Sequence, residues 1–118
     1  MFNFEKLDVW QKAINLADTV YSDTKSFPAD ERFGLTNQMR RSVVSISSNI
    51  AEGSSRNSKA DFSRFIEIAT GSVFELVSQG FIARRQGFLS EERFRALYLS
   101  AEEIGRMLSG LRNSLAER

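Results

Sequence analysis

The chain has 118 residues, 42% of them hydrophobic and 26% charged, with a net charge of +1, no Cys and no His. That length fits one domain with its own core. The two absences exclude imidazole bases, Ser–His and Cys–His nucleophile pairs, histidine-ligated metals, disulfides and cysteine zinc sites.

Apolar spacing is helical almost throughout. The first helix, expected over 5–26, carries Leu7, Trp10, Ile14, Ala17 and Tyr21 on one face. A second stripe, Val9, Ala13, Leu16 and Val20, runs beside it. Phe27-Pro28 marks a break, because Pro disfavours the helical conformation in the residue before it and suits the first turn of a new helix. The second helix, expected over 28–52, opens with Asp30 and Glu31 in its dipole-favoured first turn. Its apolar face is Leu35, Met39, Val43, Ile46 and Ile50, with Gly53 as its C′ residue.

Ser58-Lys59-Ala60-Asp61 resembles a capping box opening a third helix over 59–86. That helix shows Phe62, Phe65, Ile66, Ala69, Val73, Leu76, Gly80 and Ala83 on one face, and Thr70, Phe74, Val77 and Phe81 on another. Gly71 and Gly80 point to tight helix contacts. Gly87 ends the helix and Ser90 caps the fourth, over 91–115, ahead of a heptad seam of Phe94, Leu97, Ala101, Ile104, Leu108, Leu111 and Leu115. Four long helices with short connections make a single domain over 1–118, an all-α, up-down-up-down antiparallel four-helix bundle. The chain reads as cytoplasmic. No signal pattern opens it, and no apolar run approaches the ~20 residues that span a bilayer.

Little chemistry fits this framework. The adjacent acids Glu91-Glu92 and Glu102-Glu103 diverge by ~100° on a helix and cannot clamp one ion. No metal site, cofactor or catalytic residue is assigned, and the chain reads as a non-enzyme. Two features stand out. One is a polar stripe on the second helix, where Arg41, Ser45, Asn49 and Glu52, with Glu75 as a partner, are expected to form a structural cluster fixing helix register. The other is apolar excess: one four-helix core cannot bury both stripes of the first and third helices. Val9, Leu16, Val20, Phe74 and Phe81 are therefore expected at a homo-oligomer interface.

Val9-Trp10-Gln11, Phe27-Pro28, Glu31-Arg32-Phe33-Gly34-Leu35, Gln38-Met39-Arg40-Arg41 and Ser45-Ile46-Ser47-Ser48-Asn49-Ile50-Ala51-Glu52-Gly53 follow in that order, with Phe65, Ala69, Gly71-Ser72 and Glu75-Leu76 later. In this the chain resembles the bacterial family of the 23S ribosomal RNA intervening-sequence protein. The resemblance covers nearly the whole chain. It implies a cytosolic bundle assembling as a ring-shaped homopentamer, and no enzymatic activity is established for the family. A related accessory protein of diversity-generating retroelements shares the architecture and binds nucleic acid.

With that resemblance in view, six basic residues stand against four acids between Pro28 and Phe65, a local +2. Arg40, Arg41, Arg56, Lys59 and Arg64 are the candidates for sequence-tolerant phosphate contacts with RNA or DNA. The expectation is a homo-oligomeric, nucleic-acid-associated scaffold. A protein–protein adaptor without nucleic-acid binding is the alternative.

Overall fold

A computed structural model describes residues 1–116 as four α-helices: α1 (Asp8–Thr24), α2 (Leu35–Ser54), α3 (Lys59–Arg85) and α4 (Glu91–Ala116). Short 3-10 turns at Asn3–Lys6 and Ala29–Glu31 precede the first two helices, and no strand occurs among the described residues. The turns at 55–58 and 86–90 are too short for anything but chain reversal, so consecutive helices run antiparallel. α1 packs against α2 and α4, and α3 against the same two, giving a four-cornered bundle of 48 × 21 × 21 Å.

Local chemistry sets the helix ends. Ser58 Oγ accepts the Asp61 N–H at 3.1 Å, and Ser90 Oγ accepts the Arg93 N–H at 3.1 Å; each satisfies an amide that has no carbonyl partner in its own helix. α3 ends at Gly87, whose φ of +81° lies in the left-handed region. Phe88 N–H reaches back to the Ala83 carbonyl at 2.9 Å and Gly87 N–H to that of Arg84 at 3.0 Å, a Schellman pattern.

α2 starts later than the expected residue 28. Pro28 to Gly34 forms a 3-10 turn and a loop, and Gly34 leaves helical space at φ −107°, ψ −115°. Gly34 has no side chain to cap the new helix. Glu31 does so instead, its Oε1 accepting the Leu35 N–H at 2.9 Å. α1 likewise starts at Asp8, because Leu7 is extended at its N-cap.

The core takes one stripe from each helix: Val9, Ala13, Leu16 and Val20 from α1; Met39, Val43, Ile46 and Ile50 from α2; Ile66, Ala69, Val73 and Leu76 from α3; Leu97, Ala101, Ile104 and Leu108 from α4. This corrects the expected interface. Val9, Leu16 and Val20 are at most 5% exposed within the chain itself. Because α1 contacts both α2 and α4, it buries a wide arc: the Val9 stripe points to the bundle axis, and Leu7, Trp10 and Ala17 pack part-buried at its flank.

Gly53 is also corrected. It sits inside α2, not beyond it, and a Cβ there would lie 2.8 Å from Phe65 Cβ and 2.9 Å from the Phe62 ring. Only a bare backbone lets the start of α3 approach so closely. Gly80 is buried with Phe94 and Leu97 at 3.4–3.6 Å from where its Cβ would be, whereas Gly71 has nothing within 4 Å and makes no tight contact in the chain.

Candidate functional site

Three surfaces carry the residues of interest. The first is the α2–α3 seam. Ser42 Oγ donates to Gln79 Oε1 at 3.0 Å, both residues buried. Ser45 and Ser72 hydroxyls share a hydrogen bond of 2.8 Å, and Asn49 Nδ2 donates to the Ser45 carbonyl at 2.8 Å and its Oγ at 3.0 Å. Small side chains bring the helices close, and the hydrogen bonds satisfy what that approach desolvates. Of the expected cluster, Ser45 and Asn49 join it. Glu52 does not: it pairs with Arg56 one turn on at 2.9 Å, on the exposed side. Arg41 and Glu75 flank a depression of about 310 Å³ shared with Gln38, and no ion pair within 4 Å joins them. Of the buried half of the seam, Ser42 and Ser72 read from sequence as small residues that permit close helix approach, which marks proximity without naming hydrogen-bond partners; Gln79 carried no signal of its own.

The second surface holds the basic candidates, which do not form one patch. Arg40 Nε donates to Thr24 Oγ1 at 2.9 Å, its Nη2 to the Tyr21 carbonyl at 3.4 Å, and its guanidinium lies 4.7 Å from the Tyr21 ring centre. Arg40 is thus a clamp on the C-terminal turn of α1, where carbonyls and the helix dipole favour a cation. Arg56 lies sixteen residues further on, about 24 Å along the α2 axis. There Arg56 and Arg64 both lie over the Phe65 ring, at 4.7 and 5.2 Å, beside exposed Lys59. Arg56, Lys59 and Arg64 are grouped at the α2–α3 turn, while Arg40 and Arg41 line a separate depression with Tyr21 and Asn37.

The third surface is the α3–α4 face. Phe74 is 72% exposed and Phe81 39%, so the apolar surplus expected on α3 does reach the surface. Phe81 packs at 4.7 Å from Phe94 and edge-on to Tyr98 at 6.2 Å. Arg84 covers the Phe94 ring at 4.3 Å and is held by both Glu91 oxygens at 2.9 and 3.1 Å. Beyond this cluster, an apolar groove of about 520 Å³ runs between the helices, with Val73, Phe74 and Val77 on one wall and Tyr98, Ala101 and Gly105 on the other. Tyr98 and Gly105 escaped the sequence reading because they lie just off the heptad seam.

Among the described residues, one acid is shifted from its ordinary range. Asp23 is buried and its Oδ2 has no hydrogen-bond partner. Burial pushes its carboxyl above the ordinary range, and Arg93, at 3.8 Å, only partly opposes this. Among the described residues no three Asp or Glu side chains gather into a metal-holding group. α3 is long and apolar enough to cross a membrane by composition, but 44% of that stretch is buried, as in a core helix.

These features define an all-α four-helix bundle distinguished by one closed polar seam and one open apolar face. The family model described as 23S rRNA-intervening sequence protein matches residues 5–110, and the chain belongs to that family. A crystal structure of a protein with unknown function from the S23 ribosomal protein family of Bacteroides thetaiotaomicron superposes with a TM-score of 0.79 at 23% identity. The match covers 88% of this chain and 97% of that one. At that identity the likeness speaks for the fold. No curated protein matches the chain.

Proposed function

We propose that the protein is a non-enzymatic homo-oligomeric scaffold of the cytoplasm, a ring of five copies as the family resemblance implies. The observation that carries this is Phe74, 72% exposed at the edge of an apolar groove of about 520 Å³. Burying a side chain of that size gains roughly 1.5–3 kcal/mol, and a contiguous apolar face marks an interaction site. Static light scattering at micromolar concentration tests it. The expected mass is about five times 13.4 kDa; a mass of 13.4 kDa would overturn it.

The grouping of Arg56, Lys59 and Arg64 favours a second activity, weak RNA or DNA binding through phosphates. A ring would present this modest patch repeatedly, and avidity raises affinity without new contacts. Affinity should then fall steeply between ~50 and ~200 mM salt. Replacing both Arg56 and Lys59 with Ala should flatten that dependence. No retention of RNA or DNA at low salt would leave a protein–protein adaptor.

A further inference from the structure

α3 carries a second exposed apolar stripe, on the side away from the groove. Ile68 and Ile82 are 44% and 50% exposed. They lie seven residues either side of Glu75, so the three form one straight ridge along the helix. At 100° per residue, Phe74 lies about 100° and Val77 about 160° from the ridge around α3, so the ridge and the groove are two separate faces of one subunit. A contact between two different faces of neighbouring copies is head-to-tail, the kind that closes into a ring when its rotation allows.

Their charges also match. Glu75 has no ion pair within 4 Å among the described residues. On the groove rim, the Arg106 side chain is 69% exposed and, among the described residues, its ion pair is with Glu102 at 3.8 Å. The floor of the groove holds a third sign. A Cβ at Gly105 would meet nothing within 4 Å. Glycine weakens a helix interior, and nothing in its own chain uses the missing side chain. A helix of a neighbouring copy, lying in the groove, would.

We propose that the Ile68–Glu75–Ile82 ridge of one copy seats in the α3–α4 groove of the next, with Glu75 facing Arg106. This rests on the homo-oligomeric reading above and assigns its two surfaces.

Sedimentation velocity on the full chain tests it with four variants: Gly105→Leu, Glu75→Arg, Arg106→Glu and the charge-swapped double. Gly105→Leu starts from a Cβ that meets nothing within 4 Å and extends into the groove, so it should sediment as a monomer with the helical circular dichroism of the wild type. Each single charge reversal should weaken assembly about tenfold or more, and the double should recover most of that loss. A monomeric wild type would overturn the oligomer and this contact together. An oligomeric wild type whose Gly105→Leu variant still assembles, or whose double fails to recover, would overturn only the ridge-and-groove contact. Should Gly105→Leu lose helical signal, the exposed charge pair decides alone.

Discussion

The two sides of α3 solve the same packing problem in opposite ways. Toward α2, small residues let the helices close on each other, and the buried polar groups, Ser42 with Gln79 and Ser45 with Ser72 and Asn49, are paired. Toward α4, the Phe81–Phe94–Tyr98 cluster closes one end only, and the rest stays an open apolar groove with Phe74 beside it. The seam pairs its buried polar groups within a single chain and leaves Arg41 and Glu75 at its open edge. The open face leaves surface that the chain alone does not satisfy. A bundle helix can therefore be read by asking, side by side, which groups have found partners.

The sharpest way to break this contrast is to add one methyl group to the seam. Gly53→Ala places a Cβ 2.8 Å from that of Phe65, and overpacking of this kind costs roughly 1–3 kcal/mol. Urea unfolding should show a lower midpoint. An unchanged midpoint would mean that α2 and α3 separate cheaply, and the seam would not be the closed side. Next in size is Gln79→Ala, which strands the buried Ser42 hydroxyl and opens a void. A loss of about 1–3 kcal/mol is expected, with Ser42→Ala in the same background costing little more, as befits one coupled pair.

These residues also show how far the sequence could be read. All four helices, the core stripes of α2, α3 and α4 and the caps at Ser58 and Ser90 follow from local rules of spacing and hydrogen bonding. What was not legible depends on which helix stands opposite. Val9, Leu16 and Val20 look like a surplus stripe until two neighbours of α1 are in place. Gly53 looks like a helix terminator until Phe62 and Phe65 are seen against it. Arg40 reads as a free cation until the end of α1, sixteen residues earlier, comes to meet it. Phe74 was legible because nothing in its own chain covers it, and Phe81 stays 39% exposed even against Phe94 and Tyr98.

On α4 the sign of the glycine test should reverse. Gly110 is exposed and a Cβ there meets nothing within 4 Å. Gly110→Ala should raise stability by up to about 1 kcal/mol through helix propensity, seen as a higher thermal midpoint. Paired with Gly53→Ala, this separates glycines kept for close approach from those that are not. A loss at Gly110 would instead reveal a contact on the outer side of α4.

The smallest effect tests whether pairing, and not burial alone, makes the seam stable. Asp23 is the counter-example: buried like Gln79, but with one oxygen unpartnered and only a 3.8 Å contact to exposed Arg93. Burial raises its folded carboxyl above the ordinary aspartate value of 3.8, with Arg93 opposing. The folded state therefore holds the proton more tightly than the unfolded chain does. Lowering the pH from neutral through the folded pKa should make this group's contribution more favourable, and the gain should level off below the unfolded value. That is the reverse of a salt-bridged acid. Asp23→Asn, which fixes the uncharged form, should leave stability at neutral pH unchanged or raise it by less than about 1 kcal/mol, and should remove this part of the pH dependence. Denaturation midpoints at pH 7 and at a pH below the unfolded carboxyl value of 3.8, for both proteins, decide it. If wild type and Asp23→Asn keep the same difference at both pH values, Asp23 titrates alike in both states, and burial without a partner costs this carboxylate nothing.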